Sequence, residues 1–250
     1  KKAKEQGVHY VEVAFNQCYR GVPAEEVIPR IKMMKSKIDS AGMQVWSVHL
    51  PFSRVLDISV LDDSLREENV RFMARMIEQC RHFKPARLVL HPSSEPIADS
   101  IRAQRIKNAR HSIIYLKPYA DRIGAQLCIE NLPRTCLGNT PEELLKLIYD
   151  IPGVKVCFDT NHYTKGSTRH FMEVLGQYVG TIHASDLVNE CHWLPTQGKV
   201  DWKNFMRDLR SNGYQGVFMY EAMKDCDYNK IRPVPSRIRE TFEKIISGVQ

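Results

Sequence analysis

Short apolar runs alternate along the whole chain with amphipathic stretches, and this alternation restricts the fold more than any other feature of the sequence. Each run is four to eight residues long and carries a polar residue at or near its end. The predicted strands are residues 8–15, 44–50, 87–91, 126–130, 154–159, 180–183 and 216–221. Strands that alternate with crossover helices form a parallel sheet. The sequence therefore predicts an α/β fold.

Local signals mark where the intervening helices begin and end. A cap, a proline or an acidic first turn precedes four of the amphipathic stretches, at Pro23, Asp62, Thr140 and Asp201. Glycines stand where a helix stops and the next strand begins, at Gly7, Gly42, Gly124, Gly153 and Gly213. That position favours a left-handed backbone conformation, which glycine adopts without strain. Strand, loop, helix and loop therefore repeat as one unit.

The repeat predicts a (β/α)8 TIM barrel that forms a single domain over residues 1–250. Seven strands are predicted where such a barrel needs eight. The chain opens with Lys-Lys-Ala-Lys-Glu-Gln-Gly, which is typical of the last turn of a helix, so the first strand is expected upstream of the numbered chain. A doubly wound open sheet is the alternative, but its Gly-x-Gly-x-x-Gly loop is absent, as is Gly-x-x-x-x-Gly-Lys-Ser/Thr.

Composition narrows the class of protein further. With 43% hydrophobic and 26% charged residues the chain is globular, and no apolar stretch is long enough for a membrane span. The net charge of +7 is spread at helical spacings, which favours solvated helix faces over a nucleic-acid surface. Seven cysteines without a Cys-x-x-Cys pair argue against a disulfide framework. A cytoplasmic location is therefore expected.

Carboxylate and imidazole side chains occupy the ends of all seven predicted strands. In chain order they are Glu12, His49, His91, Glu130, Asp159 with nearby His162, His183 and Glu221. The carboxyl ends of parallel strands in a barrel converge on one mouth, so these side chains are expected to lie together. Several carboxylates in a low dielectric repel one another and raise one another's pKa. A divalent metal among them is the economical explanation.

The segments around these residues resemble the xylose-isomerase-like TIM barrels, a family of sugar and sugar-phosphate isomerases and epimerases, over essentially the whole chain. The resemblance lies in Cys-Ile-Glu130-Asn-Leu-Pro, Cys-Phe-Asp159-Thr-Asn-His162, Ile-His183-Ala-Ser-Asp186, the stretch from His192 to Trp202, and Tyr-Glu221-Ala. It implies that one divalent metal binds Glu130, Asp159, His183 and Glu221. This oxygen-rich donor set suits Mn²⁺ or Mg²⁺, and Co²⁺ or Zn²⁺ also fit.

The chemistry that the resemblance implies is proton transfer next to the carbonyl of a small-molecule sugar or sugar phosphate. Glu130 and Glu221 would form the acid/base pair in addition to binding the metal. The residues expected to contact substrate are His162, His49, His91, His192 and Glu12. Phe52 and Trp202 offer rings for a sugar face, although core packing is favoured for Trp202. Family members are often dimers or tetramers, which leaves a homo-oligomer open.

Several departures from the family leave other functions open. Cys136 and Asn189 stand where the ketose 3-epimerases carry a substrate-binding Glu and Arg, and an inosose-type dehydratase of the same fold fits equally well. A sugar-binding barrel without catalysis also remains. The sharpest rival is an endonuclease-IV-like nuclease with three metal ions, whose ligand positions match His49, His91, Glu130, Asp159, His162, His183, His192 and Glu221. Glu190 in place of the expected Asp, and the lack of a basic stripe, disfavour that nuclease and any nucleic-acid partner.

Overall fold

The computed structural model of the chain describes residues 2–188, 192–226 and 232–248, so Asn189 and Glu190 lie outside the described residues. The strands are β1 (Tyr10–Ala14), β2 (Gln44–His49), β3 (Arg87–Leu90), β4 (Gln126–Glu130), β5 (Lys155–Asp159) and β6 (Val179–His183). The helices are α1 (Lys2–Glu5), α2 (Asn16–Tyr19), α3 (Ala24–Ser40), α4 (Asp63–Cys80), α5 (Asp99–Arg122), α6 (Pro141–Ile148), α7 (Thr168–Leu175), α8 (Trp202–Ser211) and α9 (Pro235–Ser247), with a 3-10 helix at Gly176–Tyr178.

The six strands form one parallel sheet in chain order, from β1 to β6. The sheet curls so far that side chains of its first and last strands meet, because His183 Nε2 lies 3.1 Å from a carboxylate oxygen of Glu12. On the same inner face, Trp46 Nε1 donates a hydrogen bond to Thr181 Oγ1 at 3.1 Å. This architecture of curled parallel strands and alternating helices is that of a TIM barrel, as the sequence predicts.

The seventh predicted strand, 216–221, differs from expectation. Within the described residues it forms a single parallel bridge, between Tyr220 and Ala184, rather than a ladder. Ala184 donates to the Met219 carbonyl at 2.8 Å and accepts from the Glu221 amide at 3.2 Å. Ala184 lies one residue beyond the end of β6, so the segment meets its neighbour only at the rim. Glu221 nevertheless reaches the mouth of the barrel.

The local signals at the helix boundaries are confirmed. The Asp62 side chain accepts a hydrogen bond from the Leu65 amide at 2.9 Å, which satisfies an amide that the first turn of α4 leaves unpaired. Thr140 and Asp201 cap α6 and α8 in the same way, and Pro23 precedes α3. The five glycines predicted at helix ends all have positive φ, between 72° and 85°.

Apolar side chains fill the space between the sheet and the helices. Phe158 of β5 stacks on Phe171 of α7 with ring centroids 3.7 Å apart, and Phe205 of α8 meets Phe158 edge to face. Truncating a fully buried phenylalanine of this kind costs about 3–5 kcal/mol, so this contact holds β5 to two helices. Inside the barrel, Cys128 and Cys157 pack with other buried residues as unpaired thiols, and burial raises the pKa of Cys128 to about 12.

No helix in the described part of the chain is both long enough and apolar enough to cross a membrane.

Candidate active site

Glu130, at the end of β4, lies at the centre of the polar side chains in the mouth of the barrel. Its side chain is only 1% exposed, and both of its carboxylate oxygens contact imidazole nitrogens. Oε2 lies 3.2 Å from His49 Nε2 and 3.1 Å from His91 Nε2. Oε1 lies 3.2 Å from His183 Nδ1 and 3.4 Å from His162 Nδ1. Glu130 therefore divides the mouth into two parts with different partners.

The first part, termed here the carboxylate side, consists of Glu130, Asp159, His183 and Glu221. One donor atom from each of the four residues lies within 4.8 Å of the others. Asp159 Oδ2 and Glu221 Oε2 are buried without a hydrogen-bond partner, although Glu221 Oε2 lies 2.7 Å from His183 Nδ1 out of hydrogen-bonding alignment. A buried carboxylate oxygen without a partner is costly, and a divalent cation would remove that cost. The donor set therefore fits the expected metal.

The second part, termed the histidine side, consists of His49 and His91 together with Glu130. His49 Nδ1 lies 2.9 Å from its neighbouring carbonyl, that of Leu50, so both of its ring nitrogens have partners. The Phe52 ring covers the two imidazoles, with its centroid 4.8 Å from each, and is 40% exposed. One donor atom from each residue of this side also lies within 4.8 Å of the others, but Glu130 is its one carboxylate.

His162 and His192 flank the carboxylate side. His162 Nδ1 lies 3.0 Å from the Asn131 carbonyl and 3.6 Å from Asp159 Oδ2. His192 Nδ1 lies 3.0 Å from the Glu221 carbonyl. These two histidines and Asp159 form a further group with donor atoms within 4.8 Å. His192 has a φ of 66°, an uncommon backbone conformation for a residue with a side chain and one that clusters at functional sites.

The predicted site residues therefore meet at one end of the barrel, as the strand-end pattern predicts. They are Glu12, His49, His91, Glu130, Asp159, His162, His183, His192 and Glu221. The two aromatic residues that were considered for a sugar contact differ in their exposure. Phe52 is exposed in the mouth, whereas Trp202 is buried and donates its Nε1–H to Asp186 Oδ2 at 2.8 Å, which confirms core packing for Trp202.

The acidic groups of the carboxylate side have opposite pKa shifts. Burial raises the pKa of Asp159. Burial also acts to raise the pKa of Glu130, but the charges of His183 and His91 outweigh it and hold that pKa well below its usual range. The same competition between burial and His183 lowers the pKa of Glu221 to about 2. Glu130 and Glu221 are therefore ionised at neutral pH.

The pKa values of the imidazoles are also shifted in opposite directions. Burial alone would lower the pKa of His49, but its hydrogen bond to Glu130 and the surrounding charges raise it to about 9. Burial competes with the charge of Asp159 at His162, whose pKa is also raised to about 9. At His91 burial prevails and the pKa is lowered. Strong shifts in a cleft are typical of functional sites.

Hydrogen bonds from neighbouring backbone and side chains fix the positions of the candidate ligands. Asn131 accepts from the Asp159 amide at 2.7 Å and donates to the Asp159 carbonyl at 2.9 Å, which joins β4 to β5. Asp186 accepts from the amides of Thr196 at 2.9 Å and Val200 at 3.1 Å, which shapes the loop that carries His192. The sequence prediction missed Asn131, although its position directly after Glu130 is the available signal.

A buried ion pair that the sequence prediction also missed fixes the loops behind the histidine side. Asp57 Oδ2 accepts from Arg105 Nη2 at 2.5 Å and from the Ser94 amide at 2.8 Å. Asp57 Oδ1 accepts from the Ser59 amide at 2.8 Å. Asp57 therefore joins the loop after β2 to α5 through Arg105 and to the loop after β3 through Ser94. No local motif in the sequence marks it.

Cys136 is the one departure from the family that lies within the described residues, since Asn189 does not. Its side chain is buried, and burial raises its pKa to about 11. It is therefore a neutral thiol at physiological pH. A neutral, buried thiol does not supply the charged contact that a Glu at this position would make with substrate.

A parallel α/β barrel with carboxylates and imidazoles converging at the strand ends defines the class of protein. The sequence matches the model of the xylose isomerase-like TIM barrel family over residues 1–246, and the chain belongs to that family. No curated protein gives a match to the sequence.

Solved structures support the same fold. The chain is similar to a D-psicose 3-epimerase from Clostridium cellulolyticum H10, solved with D-tagatose, with a TM-score of 0.79, 18% identity, and coverage of 100% of this chain and 91% of that chain. A D-tagatose 3-epimerase-like protein gives a TM-score of 0.78 with 21% identity over 96% of this chain and 89% of that chain. The 3-keto-D-glucoside 4-epimerase of E. coli gives 0.74 with 18% identity over 98% and 91%.

Proposed function

We propose that the chain is a metal-dependent isomerase or epimerase of a sugar or sugar phosphate. The observation that carries the proposal is the pair of buried carboxylate oxygens without a hydrogen bond, Asp159 Oδ2 and Glu221 Oε2, beside His183 and Glu130. Glu130, Asp159, His183 and Glu221 would hold one divalent ion, with Mn²⁺ or Mg²⁺ preferred for the oxygen-rich set and Co²⁺ or Zn²⁺ also compatible. When bound, such an ion stabilises negative charge that develops on a carbonyl oxygen.

The proton transfer itself falls to Glu130 and Glu221. Glu130 Oε1 lies 3.2 Å and Glu221 Oε2 lies 2.7 Å from His183 Nδ1, so both carboxylates lie beside the candidate metal position, and a carboxylate is the form that accepts a proton. They come from different parts of the barrel, the end of β4 and the segment after β6, and the substrate carbon would lie between them. One removes the proton next to the carbonyl and the other returns a proton, so the overall reaction consumes none.

The remaining residues of the mouth would bind the sugar. His162 lies beside Asp159 and packs edge to face with His192, with ring centroids 5.6 Å apart. His49 and His91 form a second edge-to-face pair, with centroids 4.8 Å apart. Similar structures named for psicose and tagatose 3-epimerisation favour a ketose as substrate. Cys136 in place of a carboxylate argues that the contacts to the reacting end differ from those of free-ketose 3-epimerases. The cytoplasmic location, the single domain and the homo-oligomer stay predictions.

Exchange of substrate hydrogen with solvent tests the proposal directly. The Mn²⁺- or Mg²⁺-loaded protein is incubated in D₂O with a panel of ketoses and their phosphates, and NMR follows deuterium incorporation next to the carbonyl. We expect exchange by the parent protein and none by Glu130→Gln or Glu221→Gln, whereas the exposed control Glu142→Gln exchanges at the parent rate. Parental exchange in both site variants would refute the acid/base assignment. Sugar binding without exchange in the parent would indicate a non-catalytic barrel.

One observation favours a second candidate, the endonuclease-IV-like nuclease. The carboxylate side shares Glu130 with the histidine side and shares Asp159 with the group formed with His162 and His192, so these three groups together include four further histidines, His49, His91, His162 and His192. A nuclease of that kind would hold two or three Zn²⁺ per chain and cleave DNA at abasic sites. Elemental analysis of protein purified without chelator separates the candidates, because the isomerase predicts about one ion per chain. Product analysis separates isomerisation from the water loss of an inosose-type dehydratase.

A further inference from the structure

The buried imidazole of His183 has different groups at its two ring nitrogens. Nδ1 faces the carboxylate side, with Glu130 Oε1 at 3.2 Å and Glu221 Oε2 at 2.7 Å. Nε2 points the opposite way, toward Glu12 of β1, and lies 3.1 Å from each carboxylate oxygen of that residue. Only Nδ1 therefore faces the oxygens that would share a cation.

Glu12 is itself fixed in place. It pairs in register with Ser47 of β2, and the Ser47 hydroxyl donates to Glu12 Oε2 at 2.6 Å. The Glu12 side chain is 15% exposed, whereas His183 is fully buried. Within the described part of the chain, Glu12 belongs to none of the groups of donor atoms close enough to hold one ion. It therefore stands behind His183 rather than among the candidate ligands.

We propose that Glu12 is a positioning residue for the metal site. Its carboxylate accepts a hydrogen bond from Nε2–H of His183, which fixes the ring orientation and the tautomer that leaves the Nδ1 lone pair free for a divalent cation. A carboxylate behind a metal-binding histidine also makes the ligand more basic, and losing such a partner typically weakens metal affinity about 10- to 100-fold. This inference rests on the proposed metal-dependent function. It replaces the expectation that Glu12 contacts substrate.

Metal affinity distinguishes positioning from substrate contact without any assay of activity. Mn²⁺ binding to the full chain is measured by isothermal titration calorimetry for the parent, Glu12→Ala, Glu12→Gln and Ser47→Ala. We expect affinity to fall about 10- to 100-fold in Glu12→Ala. A smaller loss is expected in Glu12→Gln, because an amide oxygen still accepts from Nε2–H. Ser47→Ala serves as the matched control and should stay close to the parent, because it leaves the contact between Glu12 and His183 in place.

A spectroscopic signature tests the contact itself. In Zn²⁺-loaded protein labelled with ¹⁵N-histidine, the parent should show an exchange-protected Nε2–H proton for His183. Glu12→Ala should lose that protection. Circular dichroism checks that each variant is folded. If Glu12→Ala does not fold, Glu12→Gln is used for the test instead.

The outcomes separate the two proposals. Parental Mn²⁺ affinity in Glu12→Ala together with a raised KM for the sugar would overturn the positioning role and restore a substrate contact. That result would leave the proposed function intact. A parent protein that binds no divalent metal would overturn both.

Discussion

The two sides of Glu130 contain similar residue types but differ in how their polar atoms are satisfied. On the carboxylate side, buried oxygens of Asp159 and Glu221 lack hydrogen-bond partners. On the histidine side, His49 and His91 share one oxygen of Glu130, and His49 also has a carbonyl partner. Buried carboxylate oxygens that lack a hydrogen bond favour a place for a cation, whereas imidazole nitrogens that already have partners do not call for one. Under the proposed function, the ion would bind on the carboxylate side and the sugar would contact the histidine side.

The largest expected effect is on stability and concerns the ion pair between Asp57 and Arg105, which lies behind the histidine side. Arg105→Met would leave the buried Asp57 carboxylate without its cationic partner, and breaking a buried ion pair in this way costs about 3–5 kcal/mol of unfolding free energy. Urea denaturation measures the loss. The control Arg71→Met removes an exposed pair and should leave the midpoint nearly unchanged. A small loss in Arg105→Met would show that other contacts hold the loops after β2 and β3.

Replacing Asp159 by Asn tests the carboxylate side. Asp159 Oδ1 accepts from the amides of Asn161 and His162, and an asparagine oxygen preserves those bonds while an NH₂ group replaces the unpartnered Oδ2. We expect Mn²⁺ affinity to fall more than about 100-fold, beyond the range typical of residues that act through a ligand. Calorimetry measures the change, with the exposed Asp121→Asn as control. Affinity within tenfold of the parent would remove Asp159 from the ligand set.

Proton release upon metal binding sharpens the comparison. Burial acts to lower the pKa of His183, but the negative groups around it hold that pKa well above its usual value in the metal-free protein. A cation at Nδ1 must displace that proton, so affinity should rise with pH, by about tenfold per unit for each proton displaced. Titrations between pH 6 and 8 in buffers of different ionisation enthalpy count the protons. Affinity independent of pH would contradict coordination by His183.

The histidine side should tolerate substitution better. His91→Gln keeps a hydrogen-bond donor for Glu130 but removes the proposed contact of the imidazole with the sugar. A net hydrogen bond contributes about 0.5–1.5 kcal/mol, so we expect kcat/KM to fall about tenfold. Metal content should stay at about one ion per chain, as determined by elemental analysis. A fall from two ions to one would instead place an ion on the histidine side and favour the nuclease.

Much of the fold was predictable because its signals are local. Helix caps such as Asp62 act within three residues, and the six strands coincide with apolar runs to within about two residues at either end. The segment 216–221 was wrongly predicted as a strand, because whether an apolar run forms a ladder depends on where its neighbour ends. Ala184 lies one residue beyond the end of β6 and forms a single bridge with Tyr220 of that segment.

The meeting of these side chains at one mouth was predictable from the sequence, but the division of the candidate site into two sides was not. Parallel strands bring their carboxyl ends together, so the residue types alone predict a shared mouth. Which residue contacts which is set by the curl of the sheet, and that curl brings Glu12 to His183 across 171 positions of sequence. Asp57 and Arg105 lie 48 positions apart without a motif, so only the packing of α5 against the loop after β2 reveals that pair.

The smallest expected effect concerns Phe52, whose ring covers the two imidazoles of the histidine side. Its backbone carbonyl accepts hydrogen bonds from Arg20 Nη2 at 2.5 Å and Asn16 Nδ2 at 3.2 Å, so the loop should keep its position in Phe52→Ala. Because the ring is already partly buried, a sugar covers only part of it, worth about 1 kcal/mol at ~25 cal/mol per Å². We therefore expect KM for the sugar to rise about fivefold with kcat unchanged.

Steady-state kinetics of Phe52→Ala and Phe52→Leu check this expectation, and the leucine variant should recover part of the affinity because it restores apolar surface. An unchanged KM in both variants would mean that the sugar contacts the carboxylate side alone. That result would contradict the proposal that the histidine side binds the sugar. A fall in kcat without a change in KM would instead mean that the ring positions Glu130 through His49 and His91, and the histidine side would then act on proton transfer rather than on binding.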